Sequence, residues 1–357
     1  MAAMTKPREF HDGSKDGLVA LESLDLDRVE SFAGLLRAMS RTAFSGRSLG
    51  EALDVTLAMV RDPKCKVVLT LSGAMTIAKM GKVIAKMVDT GMVQAIVSTG
   101  ALVAHGISEA VGNVHYRHDP RISDEELFVK GYNRVYDTLE MEANLNYVEE
   151  FVSRAFDRLG PERELSSHLL CRTIGELLDQ DPDAQGVLRS AYRKNVPVFI
   201  PAFTDSELGL DLATWSVRRA QARGVTDPLE MLAEVPRFNP FLDLHAFARF
   251  AASTERTGIF TIGGGVPRNW AQEVGPFIDI LNHRLGLNLL PSRYRYGVRI
   301  CPEPAHWGGL SGCTYSEGVS WGKFLPPAEG GRFAEVFADA TTVWPLLIKG
   351  VLEELGR

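Results

Sequence analysis

A lysine near the C-terminus has the surroundings expected of a nucleophilic amine. Lys323 lies in the run Val319-Ser320-Trp321-Gly322-Lys323-Phe324, among aromatic, glycine and aliphatic residues. Apolar surroundings disfavour the ammonium form of a lysine, and the neutral amine can form an imine with a carbonyl or iminium carbon. The alternative interpretation, which is the more common one for lysines, is a side chain whose stem covers apolar surface while its ammonium group reaches water.

Glycine-containing turns that follow apolar runs form a second group of candidate residues. Three of them follow the runs at 66–71, 93–98 and 258–263, namely Ser72-Gly73-Ala74, Thr99-Gly100-Ala101 and Gly263-Gly264-Gly265. Glycine allows the backbone to approach a phosphate or a ribose closely, although a triple glycine also occurs in plain turns. No G-x-G-x-x-G motif opens a βα unit, so these turns alone leave cofactor binding open.

The elements that must position these residues follow from the hydrophobic pattern. Two successive strand-turn-helix units at 66–89 and 93–111 favour a parallel sheet covered by helices on both faces. We therefore predict a doubly wound, mostly parallel α/β sheet of Rossmann-like type with an N-terminal helical extension. Ligands should gather at the carboxyl ends of its strands.

The pattern also predicts the extent of the individual elements. Residues 1–25 form a polar, flexible arm, and residues 26–357 form a single domain. Two further strands are expected at 196–201 and 258–263, a loop at 113–135 and a surface insertion at 224–240. Helices are expected at 24–39, 49–61, 75–89, 102–111, 144–159, 167–178, 211–223 and 242–256.

Composition excludes several classes of protein. With 45% hydrophobic and 24% charged residues, the chain has the balance of a soluble globular protein, and its net charge of −6 gives no basic surface for nucleic acid. No apolar stretch approaches the ~20 residues that a membrane helix requires. The four cysteines are widely spaced and form no CxxC pair, which argues against a metal site and for a reducing compartment, the cytoplasm.

Several fragments, taken in their order along the chain, resemble the deoxyhypusine synthase family over about residues 65–355. Besides the turns at Ser72 and Thr99, the resemblance is carried by Pro201-Ala202-Phe203-Thr204-Asp205-Ser206, Gly263-Gly264-Gly265-Val266-Pro267, Ser316-Glu317-Gly318-Val319-Ser320-Trp321-Gly322-Lys323 and Phe337-Ala338-Asp339-Ala340-Thr341. Each fragment is weak alone. Their common order makes the family resemblance strong.

The resemblance implies that NAD is the cofactor. The positions that match the family's NAD contacts are Ser72, Thr99, Gly100, Asp205, Gly264, Asp339 and Ala340. Asp205 or Asp339 is suited to accept hydrogen bonds from ribose hydroxyls. The alternatives are local, because Asp205 lies where a helix N-cap could form and Asp339 could be a turn residue.

The resemblance also implies a polyamine substrate, spermidine, whose 4-aminobutyl group is captured by Lys323 as an imine and passed to an acceptor amine. Glu317 and Trp321 match pocket positions of the family, although a glutamate such as Glu317 is more often a solvated loop acid. A further pocket acid of the family aligns one position before Asp211, so either Asp211 or Glu207 takes its place. Members of the family are homotetramers with active sites between paired subunits.

The chain departs from the family at the proton-transfer and acceptor positions. Asn269 stands where the family has its catalytic histidine, Leu310 replaces an acid, and His105 replaces a glutamate. An asparagine is no acid or base near neutral pH, but its amide can bind an amine. His105, His306 and His283 are candidates for the missing function, and each could instead be a packed or surface residue.

These departures suggest that the first half of the reaction is retained and that the acceptor is altered. We favour a small diamine such as putrescine, which would give homospermidine, over a protein lysine. The alternative is a catalytically silent protein that kept the fold and binds NAD or polyamine.

Overall fold

The structure is a computed structural model that describes residues 9–357. Its strands within that range are β1 (Cys65–Leu71), β2 (Ala95–Ser98), β3 (Tyr116–Arg117), β4 (Tyr132–Val135), β5 (Thr138–Met141), β6 (Val198–Phe199), β7 (Arg256–Ile262), β8 (Tyr294–Ile300) and β9 (Arg332–Val336). Six of them form the main sheet, and β3, β5 and β4 form a small antiparallel sheet.

The α-helices of the first half are α1 (Phe32–Met39), α2 (Phe44–Arg61), α3 (Gly81–Asp89), α4 (Gly100–Ala110), α5 (Asp124–Val129), α6 (Glu142–Leu159) and α7 (Ser167–Asp179). Those of the second half are α8 (Val187–Arg193), α9 (Glu207–Ala222), α10 (Pro228–Leu232), α11 (Pro240–Ala252), α12 (Gly265–Gln272), α13 (Val274–Leu285), α14 (Tyr315–Ser320) and α15 (Ala340–Glu354). Short 3₁₀ turns occur at Leu26–Arg28, Ala305–Trp307 and Pro327–Glu329.

The main sheet has the strand order β6-β2-β1-β7-β8-β9, and every neighbouring pair is parallel. Counted along the chain, this is the order 3-2-1-4-5-6 of dinucleotide-binding sheets. The direction of winding reverses between β1 and β7, so a ligand crevice is expected outside the carboxyl ends of these two strands. The predicted doubly wound fold is confirmed.

Both faces of the sheet are buried. Successive residues of each strand point to opposite sides, and each side packs against a core cluster of apolar residues. In β1, Val67, Leu69 and Leu71 pack into one core cluster, and Val68 packs into the other. The first core contains apolar residues of α2 to α4 and α6 to α9, together with α15. The second contains those of α11 to α13, with Tyr315 and Phe324.

Two local expectations were wrong. Residues 113–135 are not a loop, because they hold β3, α5 and β4; these strands are largely exposed, so they carry no apolar alternation. The expected helix at 24–39 begins only at α1, where Ser31 caps it by accepting from the backbone N–H of Gly34. The surface insertion expected at 224–240 is largely exposed, as predicted, and contains the short helix α10.

The hydrophobic pattern did not reveal two strands of the main sheet. Strands β8 and β9 were not predicted, because the buried Arg299 interrupts the apolar run of β8 and pairs with Glu335 of β9. The N-terminal arm at 1–25 stays a prediction. Its first eight residues lie outside the described part of the chain. Within residues 9–25, Glu22 forms an ion pair of 2.7 Å with Arg41, which lies just after α1.

Candidate active site

The turns after β1, β2 and β7 are hydrogen-bonded to one another at the switch point of the sheet. The Ser72 hydroxyl oxygen accepts a hydrogen bond from the Gly264 backbone N–H at 2.9 Å and donates to the Ile262 carbonyl at 3.2 Å. The Thr99 hydroxyl donates to the Gly73 carbonyl at 2.8 Å. Three separate predicted residues, Ser72, Thr99 and Gly264, therefore lie together at one edge.

Glycine is required in this crevice for steric reasons. A Cβ on Gly264 would lie 2.5 Å from the Cα of Ser311, and one on Gly100 would lie 2.1 Å from the Ser206 hydroxyl oxygen. Gly263 has a φ of +73°, in the left-handed region that favours glycine. Because α4 and α12 both begin here, their free backbone N–H groups can bind a phosphate, and these residues fit a dinucleotide.

The remaining predicted cofactor residues lie at the same sheet edge but further out. Asp205 is exposed in the turn between β6 and α9. Asp339 is exposed at the N-cap of α15, where its carboxylate accepts from the Thr341 hydroxyl at 2.5 Å, and Ala340 is buried. Since β9 is two strands from β7, Asp339 lies about 10 Å from the glycine turn across the sheet.

Lys323 is buried, and its amine contacts two polar side chains. Its side chain is 9% exposed, and its Nζ lies 2.8 Å from Glu273 Oε1 and 3.0 Å from Asn269 Oδ1. Asn269 and Glu273 lie four residues apart, on one face of α12 and its C-terminal cap. The amine therefore does not reach open water, in contrast to the ordinary surface lysine that was the alternative.

The turn before Lys323 separates it from its neighbours in sequence. Gly322 has a φ of +71°, which directs Lys323 inward while Trp321 stays 65% exposed at the end of α14. The Trp321 ring centroid is 5.8 Å from the Lys323 Nζ. Glu317 lies on the same short helix and is exposed.

Glu273 was missed by sequence reasoning. Its only signal was the spacing of four residues from Asn269, and that spacing gains meaning only once a partner for both side chains is known. Asn269 accepts a hydrogen bond from Lys323, and its predicted contact with substrate stays a prediction.

A second group of acids lies on α9. Glu207 Oε2 and Asp211 Oδ2 are both buried and lack a hydrogen-bond partner. Burial, together with the charges of Glu149 and Glu207, raises the pKa of Asp211 to about 7. What this pair lacks is a donor with positive charge, such as an ammonium group.

Of the three candidate histidines, His105 lies beside this acid pair. Its Nε2 is 3.9 Å from Glu207 Oε1, and its Nδ1 is 3.1 Å from the buried carboxylate of Glu140. His283 and His306 are both exposed, in α13 and in a 3₁₀ turn respectively. Sequence reasoning missed Glu140, because it lies in the polar segment around β5.

The structure does not bring Lys323 and the acid pair together within one chain. Helices α4 and α9 pack in the first core, whereas α12 and Phe324 pack in the second, on the opposite face of the sheet. The Lys323 amine lies beside Asn269, four residues after the start of α12 and thus about 6 Å along the helix axis from the glycine turn.

Comparison with known proteins identifies the family. The sequence model of deoxyhypusine synthase matches residues 34–351. The chain belongs to the deoxyhypusine synthase family. The predicted resemblance is thereby confirmed.

Relatives within the family match over nearly the whole chain. The chain is 32% identical to "Probable deoxyhypusine synthase 2" of Methanosarcina acetivorans over 325 residues, which cover 91% of this chain and 87% of the relative. It is 30% identical to "Deoxyhypusine synthase-like protein" of Chlorobaculum tepidum, covering 88% and 84%. A crystal structure from Entamoeba histolytica, described as a deoxyhypusine synthase, shares the fold with a TM-score of 0.57 and 17% identity, covering 92% and 96%.

Membership in the deoxyhypusine synthase family makes the chain a transferase and supports transfer of an aminobutyl group from spermidine. In the described part of the chain, no helix combines the length and apolar character needed to cross a bilayer.

The half-buried Asp211 of this deoxyhypusine synthase homologue gives a first prediction, for the Asp211→Asn variant. Because the folded-state pKa of Asp211 is about 7 against an ordinary 3.8, the folded state binds a proton more tightly than the unfolded state between these values. The free energy of unfolding of the unchanged protein should therefore fall as the pH rises from about 4 to about 7. The Asp211→Asn variant should lack this loss and gain about 1–3 kcal/mol relative to the unchanged protein at pH 8, but little at pH 4.

Urea unfolding at a series of pH values measures this difference. Asp205→Asn, which removes an exposed acid beside the same helix, is the matched control. Curves for Asp211→Asn and the unchanged protein that run parallel from pH 4 to pH 8 would contradict the prediction.

Proposed function

We propose that this protein transfers the 4-aminobutyl group of spermidine to an acceptor amine, with NAD as cofactor and an imine on Lys323 as intermediate. The observation that carries this proposal is the environment of Lys323. Its amine is buried and held by Asn269 and Glu273 along the helix that starts at the triglycine turn. An amine held in place can attack an imine carbon without a large loss of entropy.

NAD would accept a hydride from the carbon next to the amine and return it later, so that no net oxidation results. The turns at Ser72, Thr99 and Gly264 would hold it, since they line the switch point of a sheet with the dinucleotide-binding strand order. Asp205 and Asp339 lie exposed at the same edge, where a ribose could be bound.

Binding of the polyamine is supported by the acid pair on α9. Glu207 and Asp211 each present a buried oxygen without a donor, and an ammonium group would satisfy both. Near Lys323, the carboxylate of Glu273 is placed to receive the proton that the ammonium must lose before it attacks. Trp321 and Glu317 are free to contact the chain of the polyamine.

We propose that two chains build each site, as in a homotetramer. The Lys323 group and the acid pair lie on opposite faces of the sheet of one chain. Two cavities of about 550 and 680 Å³ in the described part of the chain are lined by neither Lys323 nor Gly264. A second copy that places its Lys323 over the crevice of the first would explain both observations and would cover Trp321.

The acceptor is proposed to be a small diamine such as putrescine, with homospermidine as the product. Asn269 is bonded to Lys323 and offers an amide in place of an acid or base, so deprotonation of the acceptor is left to other groups. The free cysteines agree with a reducing compartment, and we propose a cytoplasmic location.

The decisive experiment incubates the purified protein with ¹⁴C-labelled spermidine, NAD and putrescine. Mass spectrometry should show homospermidine and 1,3-diaminopropane, and borohydride added during turnover should leave the label on the peptide that contains Lys323. A product formed only with a protein lysine would replace the small-diamine proposal. Binding of NAD and spermidine without label or product would favour the catalytically silent alternative.

A further inference from the structure

We propose that His105 is the base that accepts a proton from the substrate amine, and that Glu140, His115 and Lys79 hold its imidazole in the required form. This inference rests on the proposed function, because the amine in question is the one bound by the acid pair of α9. It deepens that proposal by assigning the proton transfer to a named atom, His105 Nε2.

Glu140 is negatively charged. This side chain is fully buried and receives hydrogen bonds from His105 Nδ1 at 3.1 Å, from the Asn144 amide at 2.6 Å and, at a very short distance, from His115 Nε2. Burial by itself would raise the pKa of Glu140, but these hydrogen bonds outweigh burial and lower it to about 2. Glu140 is therefore a carboxylate, which can only accept hydrogen bonds.

The contacts of the two imidazoles indicate which of their nitrogens carry hydrogens. Lys79 Nζ lies 2.5 Å from His115 Nδ1, and an ammonium group has only donors. Nδ1 of His115 must accept, so its Nε2 carries the hydrogen that is donated to Glu140. His105 likewise donates from Nδ1 to Glu140, so in the neutral imidazole the lone pair lies on Nε2.

Nε2 of His105 faces the acid pair of α9. His105 Nε2 faces Glu207 Oε1 at 3.9 Å, which is too long for a hydrogen bond. The two oxygens without donors, on Glu207 and Asp211, belong to the same group. Gly100, at the start of the helix that carries His105, lies against Ser206 at the start of α9, so this group borders the proposed nucleotide crevice.

The charged groups around His105 come from several elements. Glu140 on β5 contacts His105, and His115, just before β3, contacts Glu140. Glu207 faces His105 from α9. The next shell contains Lys79, which also pairs with Glu109, together with Asp211 and Glu149.

An amine bound as R₂NH₂⁺ gives one proton to His105 Nε2: its N–H bond breaks, the N–H bond of the imidazolium forms, and the amine regains its lone pair. That lone pair would form the C=N bond as a hydride leaves the adjacent carbon. The nicotinamide cofactor of the proposed function, held at Ser72, Thr99 and Gly264, would supply the hydride acceptor. The charge of the imidazolium is balanced by Glu140.

A metal site is the competing interpretation, because ligand atoms of His105, His115 and Glu140 lie within 4.8 Å of one another. The contact with Lys79 argues against it. A histidine that binds a metal through Nε2 normally donates its Nδ1–H to an acceptor, whereas Lys79 offers His115 a donor.

The first test measures spermidine binding by calorimetry without cofactor, between pH 6 and pH 8. In the unchanged protein, imidazolium at low pH opposes the bound ammonium and weakens binding. His105→Gln should reduce the ratio of Kd at pH 6 to Kd at pH 8 by about tenfold. Asp211→Asn removes the separate contribution of that acid, and the double variant should show a nearly flat profile.

Turnover provides the second readout. His105→Gln should lower kcat by about 10²- to 10⁴-fold and remove the acid limb of the pH profile of kcat/KM.

Lys79→Gln is the second variant, in case His105→Gln does not fold. The Lys79 side chain is 46% exposed, so its replacement should not prevent folding. The variant should lower kcat several-fold and alter the acid limb, because Lys79 no longer fixes Nδ1 of His115 as the acceptor. Lys82→Gln, an exposed lysine on α3, is the matched control and should leave both quantities unchanged.

Two results would overturn the inference. One is a kcat and a pH dependence of binding that survive in both His105→Gln and Lys79→Gln. The other is one equivalent of a transition metal in the purified protein that His105→Gln loses, which would make the cluster a metal site. If the unchanged protein binds spermidine but forms no product, the proposed function fails, and the binding experiment still decides the role of His105.

Discussion

Replacing Lys323 with alanine should abolish aminobutyl transfer and covalent labelling by spermidine, while binding of NAD persists. The expected fall in kcat is at least about 10³-fold, because loss of a nucleophile in covalent catalysis can cost up to about 10⁶-fold. The fold should survive, since the partner left behind, Glu273, has a side chain that is 48% exposed and can be hydrated. Product analysis and borohydride trapping measure the effect.

Lys323→Arg is the matched variant for this prediction. Arginine keeps the positive charge and the contact with Glu273, but its guanidinium does not lose a proton and cannot form the imine. Lys349→Ala removes a half-exposed lysine that pairs with Glu353 on α15, so it controls for charge alone. Transfer activity in Lys323→Arg close to that of the unchanged protein would refute the lysine imine.

Gly100→Ala should weaken NAD binding at least about tenfold. Its Cβ would lie 2.1 Å from the Ser206 hydroxyl oxygen and 2.3 Å from the Ser206 Cβ, closer than such atoms can approach. Overpacking of this kind costs about 1–3 kcal/mol, and a tenfold loss of affinity corresponds to about 1.4 kcal/mol. The helices α4 and α9 must therefore separate at their N-termini, which border the crevice. Calorimetric titration with NAD measures the change.

A compensating substitution separates this steric cause from a general effect of alanine. In Gly100→Ala with Ser206→Gly, the colliding side chain is absent and NAD affinity should recover most of the loss. Gly46→Ala, on α2, has a Cβ at 3.7 Å from its nearest neighbour and should leave NAD affinity unchanged. If the double variant binds NAD as poorly as Gly100→Ala, the contact with Ser206 is not the cause.

The sequence alone was sufficient for the family and the doubly wound sheet, and it predicts the edge at which ligands should gather. Strands β1, β2 and β7 are buried on both faces, so they read as continuous apolar runs, and the turns that follow them hold Ser72, Thr99 and Gly264. Such signals are local, because strand, turn and helix occupy neighbouring positions in the chain. Strand β8 failed the same criterion because Arg299 lies inside it, with a partner, Glu335, that is 36 residues away.

Only the tertiary structure decided what surrounds the reactive groups. Glu273 approaches Lys323 from a helix 50 residues earlier in the chain. Glu140 contacts His105 and His115, and Lys79 contacts His115, although these residues come from separate segments. The separation of Lys323 from the acid pair of α9 also depends on which face of the sheet each helix covers. Residue types and local spacing determine which chemistry is possible, whereas the partner of a buried charge is determined by packing between elements that are distant in sequence.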